Sequence, residues 1–274
     1  MLNFRRFVSV TSLFSLLAIG TAGVAAAATN DASAEANASH RAHRGHVDLL
    51  HASLRLDSLT ASQRQQIEAL VQGERSSHTN IRAARSQLLQ AVAGEMASGA
   101  IDEAALKPSV QALEGAIEAD EPADRAALET LHTILTPAQR TELVSRVEAR
   151  HGHHAPPSDG GARPARMHGG MWGRDLNLTD AQKQQIGANL RSAGPGVDRA
   201  LWTEARGTHE QVLTAFKGDT FVMNQVAPPR DPRLIDAEAE RIVRVAKASA
   251  PILTPDQRAA AATKLRAMAA RSPK

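Results

Sequence analysis

Leu178-Thr179-Asp180-Ala181-Gln182 places a hydroxyl three residues ahead of an amide, and the same spacing occurs three more times. The other copies are Leu59-Thr60-Ala61-Ser62-Gln63, Leu135-Thr136-Pro137-Ala138-Gln139 and Leu253-Thr254-Pro255-Asp256-Gln257. Each reads Leu-Thr-x-x-Gln, and each is followed at once by Arg or Lys. Thr60 to Thr136 is 76 residues and Thr179 to Thr254 is 75. Thr60 to Thr179 is 119 and Thr136 to Thr254 is 118. Four copies in register describe a duplicated unit that carries the motif at both ends.

The motif has a mechanical reading. Thr at the N-cap offers its hydroxyl to a free N–H of the first helical turn, and Gln three residues later reaches back to the N-cap N–H. Pro137 and Pro255 fall at the first helical position, where a missing N–H costs nothing. Leu59, Leu135, Leu178 and Leu253 sit where a hydrophobic staple begins. The usual apolar partner is replaced by Arg64, Arg140, Lys183 and Arg258, so each Leu packs on an alkyl stem or enters the core. Thr60, Gln63, Thr136, Gln139, Thr179, Gln182, Thr254 and Gln257 are therefore read as helix-capping residues, with no chemistry assigned to them.

Composition agrees with helices. Ala fills 52 of 274 positions, and there is no Cys, no Tyr, five Phe and two Trp. β-Sandwiches and barrels draw on aromatic and β-branched residues, whereas this chain offers thin cores of Leu, Ile, Val and Ala. The fold expected is all-α, as two tandem helical hairpins in an elongated, cradle-like arrangement. Without Cys, disulfides, thiolate metal sites and thiol catalysis are excluded.

Helical spacing traces the elements. Ile67, Leu70 and Val71 mark a first face, and Ile81, Leu88, Val92 and Met96 a second. Gly99 ends that element and Asp102 caps the next, which carries Leu106, Val110, Leu113, Ile117, Leu128 and Leu131. Pro108 and Pro122 are expected to kink or break it. In the second unit, Ile186 and Leu190 open, Gly194-Pro195-Gly196 interrupts, and Leu201, Val212, Leu213 and Phe216 resume. An irregular insertion is expected at Val226–Pro232, before Leu234, Ile235, Ile242 and Val243.

The ends and the middle read differently. Arg5 and Arg6, the apolar run Phe7–Ala18 and the small residues up to Ala28 have the layout of a secretory signal peptide over 1–28. The mature chain is then expected to be exported, without a membrane span, and to hold 30 basic against 29 acidic residues once Arg5 and Arg6 are gone. Residues 29–45 are expected to be disordered, 46–150 to form the first unit and 171–270 the second. The stretch 151–170, rich in Gly, Pro and His, is expected to be a linker with a root-mean-square reach of roughly 25 Å.

Each unit resembles the Spy/CpxP family of periplasmic proteins. Leu176-Asn177-Leu178-Thr179-Asp180-Ala181-Gln182-Lys183-Gln184-Gln185-Ile186 carries the first motif of that family. Ile134-Leu135-Thr136-Pro137-Ala138-Gln139 and Ile252-Leu253-Thr254-Pro255-Asp256-Gln257 carry the second. The resemblance implies helical hairpins that pair into a curved cradle, whose concave face holds unfolded or partly folded proteins without ATP. It equally implies two alternatives: a heavy-metal-binding or metal-sensing accessory, and a regulator docked on the periplasmic domain of a sensor kinase. Two units in one chain depart from the family, and they allow an intramolecular pseudo-dimer or a homodimer. The client-binding residues are left unknown; Trp202, Phe216, Phe221 and Met223 are candidate contacts, with a core position the first expectation for each.

Charge differs between the units. Residues 47–150 hold 10 Lys+Arg and 15 Asp+Glu, a net of −5, and residues 171–270 hold 14 and 11, a net of +3. Arg230, Arg233, Arg241, Arg244 and Lys247 supply most of the basic side. Opposite charge favours pairing of the units or uneven attraction of a client.

Eight of the eleven His cluster outside the expected helices, at His40, His43, His46 and His51 and at His151, His153, His154 and His168. Neutral imidazoles in a short flexible tract suit Zn, Cu or Ni, and His151, His153 and His154 are the candidate ligands. No cofactor is required by this reading. His78, His132 and His209 sit singly and are read as surface or groove residues. No phosphate loop, dinucleotide-binding glycines, zinc-protease motif or nucleophile motif occurs, so no catalytic residue and no enzyme is expected. A nearly neutral exported chain also points away from nucleic acid.

Overall fold

A computed structural model of the chain describes residues 49–152, 176–194 and 199–271, and all regular structure among them is helical. A short helical stretch at 49–53 precedes α1 (Ala61–Ser77), α2 (Thr79–Ser98), α3 (Glu103–Ile134) and α4 (Pro137–Gly152). Then come α5 (Asp180–Ser192), α6 (Arg199–Phe216), α7 (Met223–Val226), α8 (Pro232–Ser249) and α9 (Pro255–Arg271). The expected leader, the 29–45 segment and all but the first two residues of the expected linker lie outside the described residues. No described helix is long and apolar enough to cross a membrane.

Local chemistry sets the boundaries. Gly99 ends α2 in the left-handed region at φ 87°, and its N–H reaches the Glu95 and Met96 carbonyls. A Cβ there would both strain the backbone and press on Arg258, whose guanidinium lies 3.0 Å from its ideal position. Asp102 caps α3 by accepting from Ala104 and Ala105 N–H. α3 then continues for 32 residues through Pro108 and Pro122. The expected break does not occur. Each proline removes one ladder bond, but buried Leu106, Val110, Leu113 and Ile117 on one side and Leu128 and Leu131 on the other hold the helix in place.

The helices before residue 152 and those after 176 build their cores together. One core joins α2 and the first half of α3 to α5, α8 and α9, through Leu88, Val92, Leu113, Ile186, Ile242 and Leu265. The other joins residues 49–56, α1, the end of α3 and α4 to Phe216, Phe221 and Met223. α9 makes its most extensive contact along α2. Arg258 meets Gly99 at one end and Ser86 Oγ donates to Ala269 O at the other, so the two helices run antiparallel. α8 lies antiparallel to α3 in the same way: Lys247 pairs with Glu103, and Glu114 sits among Asp236 and Glu240.

Candidate functional site

Each of the four motifs forms a capping box. Thr60, Thr136, Thr179 and Thr254 accept through their hydroxyls from the N–H of Gln63, Gln139, Gln182 and Gln257. The four glutamine Oε1 atoms accept in return from the threonine N–H. The same glutamines then do more. Gln63 Nε2 donates to Gln139 Oε1 at 2.9 Å, and Gln139 Nε2 donates to Gln63 Oε1 at 3.1 Å. Their second amide hydrogens go to the Ile134 and Ser58 carbonyls. Gln182 and Gln257 repeat this at 2.7 and 3.2 Å, with Ile252 and Leu176 as the carbonyl partners.

Two donors and two acceptors are thus used on every glutamine. Glu is interchangeable with Gln in an isolated capping box, but it has no hydrogen to give to a partner amide. The clasp was missed at the sequence level. Its only signal there is that all four copies use Gln and none uses Glu.

The motif's other residues also serve the fold. Leu135, Leu178 and Leu253 are buried, so they enter the core. The basic residue after Gln collects main-chain carbonyls: Arg64 those of Leu54 and Leu56, Arg140 those of His132 and Leu135, and Arg258 that of Leu253. Lys183 instead pairs with Asp180.

Between the two apolar cores the chain buries charge. On α3, Ile117 belongs to one core and Leu128 to the other, and Asp120, Glu121 and Asp124 lie buried between them. Going from Val71 in α1 to Ile81 in α2, the chain passes buried Glu74 and then His78. Between Ala227 and Ile235 it passes buried Arg230, which pairs with Glu238. Arg85 faces Glu238 from α2, and burial pulls its guanidinium down to about 10. Burial likewise lowers Arg241 and Arg125, the latter beside Glu121.

His78 is the centre of this band. It is the single residue between α1 and α2. Its Nε2 lies 2.8 Å from Asp120 Oδ2 and 3.0 Å from Asp124 Oδ1, and its Nδ1 lies 3.7 Å from Glu74 Oε1. Glu74 Oε2 in turn lies 3.1 Å from His51 Nε2. Burial alone would lower His78, but pairing with Asp120 and Asp124 outweighs it and holds the ring at about 10. The imidazole is therefore a cation at neutral pH.

His132 is the opposite case. Its ring stacks on Phe221 at 23° and meets the edge of Phe216, both with centroids 5.3 Å away. Its Nε2 sits 2.9 Å from Gly218 O, which makes Nε2 the donor. Burial lowers it below its ordinary value, and Arg140 acts in the same direction. His209 is buried as well. Burial corrects the surface or groove reading for His132 and His209, while His78 is partly exposed and meets two carboxylates of α3; a single His in a helical pattern gives no sign of what meets it from other helices.

The remaining sequence-level candidates divide. Phe216, Phe221 and Met223 are core, and the Trp202 side chain lies outside the described residues. Among the described residues, Val222 is the exposed large apolar side chain. His151 is in the last turn of α4 with its side chain undescribed, and His153 and His154 lie outside the described residues. The basic set of the second half is largely engaged: Arg230 with Glu238, Arg233 with Asp231, and Lys247 with Glu103 of the first half. Lys217 with Glu148 also crosses between the halves in the sense of the charge difference, so part of it is used in pairing, while Arg140 with Asp219 crosses in the opposite sense. Comparison with family models, with curated proteins and with solved structures returns no match.

Proposed function

We propose that the chain is an exported, periplasmic, ATP-independent chaperone of the Spy/CpxP type, which holds unfolded or partly folded envelope proteins without enzymatic chemistry. The two halves act in it as an intramolecular pseudo-dimer. The observation that carries this reading is the equivalent placement of the four motifs. They join pairwise in two glutamine clasps, while each apolar core takes helices from both halves.

Client contact in this reading falls mainly to charged and small residues, because among the described residues the large apolar side chains other than Val222 are committed to the cores. Val222, 42 % exposed beside buried Phe221 and Met223, marks the apolar edge at which a client segment would rest. A few hundred Å² of apolar burial at about 25 cal/mol per Å² gives reversible holding. Long-range charge attraction adds to it and weakens with salt.

The test uses a client that aggregates on dilution from denaturant, followed by light scattering without nucleotide and with a chelator present. Suppression at near-stoichiometric protein is expected. Undiminished scattering at a large excess of this protein rules the reading out. A metal-handling accessory is the second reading, and the His78, Asp120 and Asp124 grouping favours it.

A further inference from the structure

We propose that His78, Asp120 and Asp124 bind one first-row divalent cation, zinc being the best match, with Glu74 as a positioning residue behind the imidazole. The inference deepens the metal-handling reading and rests on it; it is independent of the chaperone reading. It also moves the site away from the histidine tract at 151–154 and into the helical body.

The donor geometry is close to what a cation needs. Three ligand atoms, one from each residue, lie within 4.8 Å of one another. His78 Nε2 to the two carboxylate oxygens is 2.8 and 3.0 Å. Zinc with ligands at about 2.0–2.2 Å spaces neighbouring donors about 3.0–3.5 Å apart. An opening of tenths of an ångström accommodates the ion.

A single Nε2 hydrogen faces two carboxylates. It lies between Asp124 Oδ1 at 3.0 Å and buried Asp120 Oδ2 at 2.8 Å and cannot be directed fully at both. A cation at the point of convergence attracts both oxygens and accepts the nitrogen lone pair at once. Charge points the same way. Glu74, Asp120 and Asp124 are three buried carboxylates facing His78 and the partly exposed His51. Exchanging the His78 proton for a divalent ion raises the local positive charge by one.

The surroundings have the organisation of a metal site rather than of an accidental acidic patch. Glu74 Oε1 lies 3.7 Å from Nδ1, on the other side of the ring from the aspartates, an ion-pair distance rather than a hydrogen bond. A metal-ligating His usually directs its second nitrogen at such a carboxylate, which fixes the ring. Asp120 and Asp124 are one turn apart on α3 and His78 is pinned between two helices, so the donors stand on rigid elements. An imidazole with carboxylates, in a chain without Cys, suits Zn, Ni, Co or Mn and disfavours Cu(I).

The test is calorimetric titration of the untagged, chelator-stripped full chain with zinc chloride. One site at micromolar affinity or tighter is expected. Asp120→Asn and His78→Gln should each weaken it at least about tenfold, and Glu74→Gln by about tenfold through the ring it orients. Joint replacement of His151, His153 and His154 by Ala should leave it unchanged. Helicity and melting of each metal-free variant show whether it folds, and the visible spectrum of bound cobalt reads coordination in those that do. Binding that survives in folded His78→Gln but vanishes with the linker histidines overturns this site and keeps the metal-handling reading. Absence of zinc binding to the parent chain overturns both.

Discussion

One core of this molecule closes around Phe216, Phe221 and the His132 ring. The other contains no aromatic side chain among the described residues and packs Ala84, Ala93, Ala239, Ala246, Ala261 and Ala262 among its Leu, Ile and Val. Small residues let α2 and α9 lie close along their length, whereas rings fill the wider space where α6 ends and the chain turns into α7. The two cores should therefore respond oppositely to changes in volume. The ring-lined core is sensitive to removal, and the alanine-lined core to addition.

The largest effect expected is from Phe216→Ala, about 3–5 kcal/mol of destabilisation in denaturant melts, because a fully buried ring leaves a cavity that His132 and Phe221 cannot both fill. Next is Ala262→Leu, expected to cost about 1–3 kcal/mol by forcing α9 from its neighbours. If Ala262→Leu is neutral, the alanine-lined core is looser than its burial implies and the comparison breaks.

The clasps sharpen the same contrast. Gln139 is buried and Gln257 only partly so. Gln139→Glu removes a donor from a closed amide pair and should cost about 1–3 kcal/mol, with Gln257→Glu nearer the lower end. Equal costs at both positions would show that burial does not separate the two clasps. Chemical melts of the two single variants decide this.

The smallest effect expected is a pH dependence. His132 has its folded value below its ordinary 6.5, so the unfolded chain takes up its proton first as pH falls. Its contribution to stability is complete above about pH 6.5 and is lost as pH drops through the folded value. His132→Gln keeps a donor for the Gly218 carbonyl and does not titrate, so its stability should vary less between pH 7 and 5 than that of the parent. An unchanged slope would place the acid sensitivity elsewhere.

The helix starts were readable because a capping box is a four-residue device that folding does not need to complete from afar. The Gly99 stop and the Asp102 start were readable for the same reason. The passage of α3 through Pro108 and Pro122 was not, because it depends on the packing of α3's apolar residues on both sides of the prolines against other helices. The site was largely hidden. His78 meets aspartates 42 and 46 positions away, and His132 meets rings more than eighty positions away. Nothing local distinguishes either from a surface histidine. The glutamine clasps lay between: the pattern was visible, but its use of all four hydrogen-bonding sites on each amide appears only when the motifs meet.

The central claim is that the halves on either side of residues 151–170 complete each other's cores. It is tested most directly by producing residues 46–150 and 171–274 as separate chains, mixing them, and following mass by light scattering and helicity by circular dichroism. The expected result is a one-to-one complex with the helicity and melting behaviour of the intact chain, while neither half is a stable folded monomer. Two fully helical monomers that melt cooperatively on their own and do not associate would contradict it.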